Sequence, residues 1–341
     1  MVYGSDLSSS TPGANLETQA AFKRGVNYWE EGEYDKAIEE YTEAIRLDPN
    51  YDKAYFNRGG AYCMKGDFDN ALKDYTEAIR LVPNEAMFFF SRAKVYWEKG
   101  EYDKAVKDFT EAIKLDPVDA KAYNNRGGLY LEKGEYDKAI RDCTKAIRLN
   151  PDNAMAYCNR GAAYKFKSDI DKAVKEYTKA IRLNPDFLVA FYNRGVAYEE
   201  KGDYDKAVKD YTEVVRIAPN FTRAYVHRGL IYKMQGEYVK ATKDLTKVIK
   251  LDPNNAVIYL QRGLVYGIQG WYDDAIKDYT QAIMLNPNFA DAYYCRGMIY
   301  EEKGMCNLAT KDYTKAVEID PAYTKAMNQL KKAQGKALKK R

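Results

Sequence analysis

Histidine is almost missing from this chain, with His227 the single one in 341 residues. No nucleophile or ligand motif lies beside it, which gives general acid–base chemistry little to stand on. No catalytic residue, cofactor or metal site is therefore expected, and the chain is read as a non-enzyme. Cysteine is scarce and unordered: Cys63, Cys143, Cys158, Cys295 and Cys306 share no spacing, which argues against a disulfide or zinc framework. That scatter fits a reducing compartment, so the cytoplasm is the expected location unless a leader has been removed. No apolar run approaches the roughly 18 residues that a membrane span needs. The opening MVYGSDLSSSTPGANLE has neither the basic start nor the apolar stretch of a signal peptide, and its composition reads as a flexible tail over residues 1–17. Charge of one sign is also lacking. Residues 324–341 carry seven Lys or Arg and no acid, which against a total of +4 leaves −3 for everything before them. The body of the chain is thus no electropositive surface for nucleic acid. The terminal KKAQGKALKKR could touch anionic lipid or nucleic acid, or be the solvated end of a helix.

Proline is sparse too, and its placement is the first positive sign. Nine of the ten prolines, from Pro49 to Pro321, stand 34 residues apart, and only Pro12 lies outside the frame. The phrase YNRGVAY at 192–198 repeats with the same step, as FNRGGAY at 56, NNRGGLY at 124 and YCRGMIY at 294. A fixed period of this size marks a stacked-repeat architecture. Nine units fill residues 18–323 without a gap: 18–51, 52–85, 86–119, 120–153, 154–187, 188–221, 222–255, 256–289 and 290–323.

In the sixth unit Ala190, Phe191, Arg194, Gly195, Ala197 and Tyr198 follow helical spacing, and Gly202 ends the segment. A second helix carries Tyr204, Ala207, Val208, Tyr211, Val214, Val215 and Ile217 on one face, with Asp203 or Asp205 placed to cap it and Pro219 to close it. Each unit is predicted to be a helical hairpin. Numbered within the unit, position 11 is always Tyr, 20 always Ala, 25 always Thr, and 8 is Gly except at Ala93. A glycine inside a helix costs about 1 kcal/mol relative to alanine. Its use at position 8 is read as room for a large ring on the facing helix. Position 7 is arginine and position 23 acidic in every unit. Arg194 is expected to reach Asp210, and Arg58 to reach Asp74, across the two helices. The competing partner is the lysine four residues earlier, Lys206 for Asp210. For the threonine the expectation is a bond back to its own helix.

Gly or Ala at 8, Tyr at 11, Ala at 20, an aromatic at 24, Ala at 27 and Pro at 32 resemble the tetratricopeptide repeat, over nearly the whole chain. Departures such as Cys143, Leu245 and Ser168 read as tolerable changes of volume. The resemblance implies an all-α, right-handed α-α superhelix of nine hairpins, with residues 324–341 forming a capping helix and basic tail. Met327 and Leu330 continue the register on that helix. The resemblance further implies a concave groove lined by positions 2, 5, 6, 9, 12 and 13 of the first helices, and a protein or peptide partner rather than nucleic acid. Self-association through the ends of the stack is a further expectation.

Position 6 supplies a row of amides, Asn57, Asn125, Asn159 and Asn193, similar to the asparagine ladder in the repeat arm of O-GlcNAc transferases. Such a row can hold a peptide backbone, or it can be solvated or bonded between helices. Beside it stand Tyr192, Phe22, Trp29, Phe56, Phe90 and Trp97, with Leu260, Leu264, Leu230, Met234 and Ile268 further on. These are anchors for a ligand, or packing between adjacent first helices. The family's two-carboxylate clamp needs Lys at 5 and Asn at 9, and no unit has either. The reading is a peptide-binding scaffold. Two alternatives stand beside it: the binding arm of an enzyme such as a glycosyltransferase, and an assembly factor for secretion or envelope structures.

Overall fold

The computed structural model describes residues 16–338, so most of the expected N-terminal tail lies outside the described residues. Leu16 and Glu17, assigned to that tail from sequence, begin the first helix. Nineteen helices and no strand occur among the described residues. The chain divides into two compact units, Met1–Pro185 and Asp186–Arg341.

The first unit holds α1 (Leu16–Glu30), α2 (Tyr34–Leu47), α3 (Asp52–Met64), α4 (Phe68–Leu81), α5 (Ala86–Glu98), α6 (Tyr102–Leu115), α7 (Ala120–Glu132), α8 (Tyr136–Leu149), α9 (Ala154–Phe166) and α10 (Ile170–Leu183). The second holds α11 (Leu188–Glu200), α12 (Tyr204–Ile217), α13 (Thr222–Met234), α14 (Tyr238–Leu251), α15 (Ala256–Ile268), α16 (Tyr272–Leu285), α17 (Ala290–Glu302), α18 (Cys306–Ile319) and α19 (Thr324–Leu338). Each odd-numbered helix up to α17 pairs with the even one after it, and α19 packs on α18. Each unit is an all-α stack of hairpins of the superhelical repeat class.

Hairpins close where a small residue meets a ring. A Cβ added to Gly195 would lie 2.9 Å from Tyr211 Cε1, and one on Gly263 2.7 Å from Tyr279 Cε1. The position-20 alanines, Ala37 and Ala207 among them, are fully buried at the same crossings. Where the second helix offers Leu245 instead of a ring, Gly229 is less crowded, with Asp244 Cβ at 3.3 Å and Leu245 Cγ at 3.5 Å.

The turn inside each hairpin uses the left-handed backbone region, which glycine adopts at no steric cost. Gly202 has φ +75°, whereas the same turn of the fifth hairpin carries Ser168 at φ 62°. Ser168 therefore keeps the left-handed conformation of the turn, and its departure is one of strain, not of volume. A non-glycine residue there is strained by about 1 kcal/mol. Ser168→Gly should raise stability by about that amount, read as a higher midpoint in guanidinium denaturation followed by circular dichroism.

Asp203 occupies the residue before α12, yet its side chain makes no capping hydrogen bond. It accepts from Lys206 Nζ at 2.5 Å instead, which corrects the expected cap. Asp67 and Asp169, at the same place in other hairpins, do accept from the helix N–H groups of Asn70 and Lys172.

Candidate functional site

Arginine at position 7 organises each unit. Arg194 Nε and Nη2 donate to Asp210 Oδ2 and Oδ1 at 2.8 and 2.7 Å, and Arg58 makes the same fork to Asp74 at 2.8 and 2.8 Å. The competing lysine, Lys206, is committed to Asp203. The guanidinium is also flanked by the rings one turn before and after it, as Arg126 lies 5.8 Å from the centroids of both Tyr123 and Tyr130.

The remaining nitrogen explains the threonine. Arg58 Nη1 donates to Thr42 Oγ1 at 2.9 Å, Arg126 Nη1 to Thr110 at 3.0 Å and Arg262 Nη1 to Thr246 at 3.0 Å, each in the preceding hairpin. Thr42 and Thr110 give their own proton to the carbonyls of Ile38 and Val106, both at 2.7 Å, leaving a lone pair for the arginine. The bond back to the helix is half of the role; the other half joins hairpin to hairpin. A second seam runs alongside, with Lys65 on Asp35, Lys99 on Asp69 and Lys303 on Asp273.

First helices of neighbouring hairpins touch one another, α1 with α3, α7 with α9, α13 with α15 and α15 with α17, and no pair of second helices does so to the same extent. The first helices are the inner layer of each stack. Not every residue assigned to a groove from sequence reaches its surface. Phe22, Phe56 and Leu260 are buried, with 5 %, 2 % and 6 % of their surfaces exposed. Phe56 sits in the seam between hairpins, its ring stacked 5.0 Å from Phe88 and 5.5 Å from Tyr75. These three are core residues rather than anchors. Asn57 is buried as well. Asn159 is half-buried and donates through Nδ2 to Asn124 Oδ1 at 3.1 Å, so it ties α9 to α7. Of the alternatives for the asparagine row, Asn159 takes the bond between helices.

Asn125, Asn193, Tyr192, Trp29, Phe90, Trp97 and Leu264 are half-buried. Trp97 packs edge-on to Phe109 at 6.4 Å, and its indole N–H donates to Glu132 Oε2 at 2.9 Å. Phe90 and Asn125 border an open groove of about 880 Å³ in the first unit, together with Met87, Lys94, Asn124 and Asn153. A second recess of about 360 Å³ meets it at Ser91 and Lys94, and is lined by Trp29, Cys63 and Met64. Gly60 lines this recess, and a Cβ added there would meet nothing nearer than the Tyr75 hydroxyl at 3.8 Å. Glycine here leaves space open to solvent, unlike the crowded glycine at position 8.

In the second unit the single histidine is not isolated. His227 Nδ1 lies 2.9 Å from Glu199 Oε2 and Nε2 3.3 Å from the Tyr192 hydroxyl, and its ring stacks 5.3 Å from Tyr211. Tyr211 also donates to Glu199 Oε2 at 2.8 Å. Burial pushes the Glu199 carboxyl up, but the hydrogen bonds from His227 and Tyr211 outweigh it and hold the group below its usual value. Sequence reading missed this cluster because its members stand 12 to 35 residues apart, on neighbouring hairpins. The 34-residue period is the signal that could have found it, since it places Tyr192, Glu199 and His227 on adjacent first helices.

A stack of near-identical hairpins, with a constant framework and a variable inner layer, defines a helical-repeat scaffold. Tetratricopeptide repeat models match residues 52–85, 154–187, 189–221 and 222–255, and related ones match 25–65, 90–154, 245–277, 268–304 and 290–323. The chain belongs to the tetratricopeptide repeat family. No curated protein sequence matches it. Among solved structures it resembles a tetratricopeptide repeat protein from Parabacteroides merdae, at 23% identity and TM-score 0.58 over 74% of this chain and 99% of that one. It also resembles the C-terminal part of a repeat protein from Cytophaga hutchinsonii, at 21% identity and TM-score 0.56 over 70% and 97% of the two chains. YrrB, described as a TPR protein with an unusual peptide-binding site, aligns at 24% identity and TM-score 0.51 over 55% of this chain and 97% of its own. At these identities the likeness is one of fold. No helix of the described residues is long and apolar enough to cross a membrane.

Proposed function

We propose that the protein is an interaction scaffold that holds an extended polypeptide segment of a partner against its first-helix layer and carries out no reaction of its own. The observation that carries this is the open groove of about 880 Å³ in the first unit, to whose lining both the Phe90 ring and the Asn125 amide contribute. The side-chain amide of Asn125 makes no hydrogen bond within the described residues, so its donor and acceptor are available to a peptide backbone. Phe90 is held edge-on against Phe109, 5.5 Å between centroids, and presents a rigid apolar wall. A rigid aromatic next to an uncommitted amide suits the anchoring of one side chain and the adjoining peptide bond.

The test uses random twelve-residue peptides displayed against the immobilised full chain, with enriched peptides remade to carry a benzophenone. Cross-links are expected on first helices, and binders that link to α5 or α7 should lose about tenfold in affinity to Phe90→Ala, the scale of one hot-spot residue. Cross-links confined to second helices, or no enrichment at all, would overturn the reading.

A further inference from the structure

Many lysines of the array pair with a carboxylate, those at position 14 with an aspartate of the preceding hairpin and several on the second helices with an acid three residues earlier, as Lys206 does with Asp203, and most of the others stand exposed to water. Lys233, on the inner layer of the second unit, is different. It is half-buried on α13, and its ammonium donates to the amide oxygen of Gln261 on α15 at 2.6 Å. No carboxylate comes within ion-pair distance among the described residues. The acid at the same position of the preceding hairpin is already engaged, since Glu199 accepts from Tyr211 and His227, and so is the one two hairpins further on, where Glu301 accepts from Tyr313 at 3.0 Å. Burial alone pushes the Lys233 ammonium below its ordinary value. A desolvated cation with only an amide for company is an energetic debt unless something negative joins it.

The surroundings say what that something would be attached to. Met234 and Ile268, at position 13 of consecutive first helices, are 63 % and 58 % exposed, and Met298 is 41 % exposed. Leu230 and Leu264 lie half-buried on the same layer. Position 12 of the hairpin after Lys233 is Gly267, which adds no side chain beside it. Scattered apolar residues on a surface need no explanation. A cation without a counter-ion on a helix layer that also carries exposed methionine and isoleucine does, because charge and apolar surface then stand on the same adjacent first helices.

We propose that the inner layer of the second unit binds a partner segment in which an aspartate or glutamate is flanked by large apolar residues, the carboxylate pairing with Lys233 and the apolar side chains covering Met234 and Ile268. The occupant is chosen by charge complementarity: it supplies the counter-charge that the chain withholds from Lys233 and removes exposed apolar surface in the same step. This rests on the scaffold reading above and adds the chemistry of the ligand. Lys233→Met keeps the stem and removes the charge; Lys233→Glu reverses it.

The displayed-peptide selection separates the two ideas. Peptides that cross-link to α13 or α15 should carry an acid between Leu, Ile, Met or Phe, and should bind Lys233→Met about tenfold more weakly. Exchanging the peptide's acid for lysine should restore binding to Lys233→Glu and abolish it on the unaltered chain, a gain that misfolding cannot imitate. Binders to these helices with no acidic preference, or with equal affinity for Lys233→Met, would sink this inference and leave the scaffold reading standing. So would binders that cross-link only to first helices elsewhere. If no peptide is enriched, both fall together.

Discussion

Asp74→Ala is expected to destabilise the protein by about 3–5 kcal/mol, the cost of breaking a buried ion pair from one side. Asp74 is 5 % exposed and receives both donors of the Arg58 fork. Its removal leaves a guanidinium between Tyr55 and the hairpin interior with only Thr42 as a polar neighbour. The loss measures the stranded charge more than the worth of the bond. Burial pushes the Asp74 carboxyl above its ordinary value, and the hydrogen bonds and charge of Arg58 pull it back only in part. For Arg58 the hydrogen bond and charge of Asp74 outweigh its burial, so across the pair attraction and the removal of water come close to balance. Arg58→Met with Asp74→Leu should accordingly recover stability to within about 1 kcal/mol of the original chain. Guanidinium denaturation of the single and double variants checks both statements. If Asp74→Ala unfolds with an unchanged midpoint, the arginine is not held as described.

The second large effect concerns the helical glycines. Gly263→Ala places a Cβ 2.7 Å from the Tyr279 ring, which is 2 % exposed and cannot retreat. Overpacking of this kind costs about 1–3 kcal/mol, against a gain of about 1 kcal/mol from helix propensity. A net loss of up to about 2 kcal/mol is expected. Gly229→Ala should run the other way. Its Cβ meets Leu245 Cγ at 3.5 Å, an ordinary contact, and Asp244 Cβ at 3.3 Å. The propensity gain should then survive, and thermal melts of the two variants should move in opposite directions. Tyr279→Leu should rescue Gly263→Ala by copying the leucine that nature placed opposite Gly229. Equal shifts for both glycines would show that the ring does not set the requirement.

Most of the scaffold was legible because repetition itself marks it. Nine arginines at position 7 facing nine acids at position 23 form an internal alignment, and the hairpin partners lie only 16 residues apart. Thr42 and its equivalents were visible as invariant but not as explained, since their second partner belongs to the next hairpin and appears only when hairpins are stacked. Position 5 was misplaced for a related reason. Helical spacing assigns Phe22, Phe56 and Leu260 to the groove side, but in those hairpins the side chain is buried against its neighbours, whereas Phe90 at the same position stays half-buried and lines the groove. Ser168 reads as a small residue in sequence, and its significance lies in a φ angle that composition does not report. The candidate site was the least legible part. What distinguishes Asn125 from Asn159, or Lys233 from the lysines around it, is which neighbours are already committed. That is a property of pairs across hairpins and not of any one letter.

The arginine that grips its own hairpin and the threonine of the one before gives each stack a direction. Among the described residues Arg24, in the first hairpin, bonds to Glu40 and to no threonine, and it has 52 % of its side chain exposed, against 16 % for Arg58. Within each unit every such bond joins residues a fixed 16 positions apart, so excising or duplicating one whole 34-residue module recreates the same contacts at the new junction. Array length can therefore change by complete modules without repair of the interfaces. Each inserted module would bring its own position-6, 9 and 12 residues, lengthening the binding surface by one word at a time.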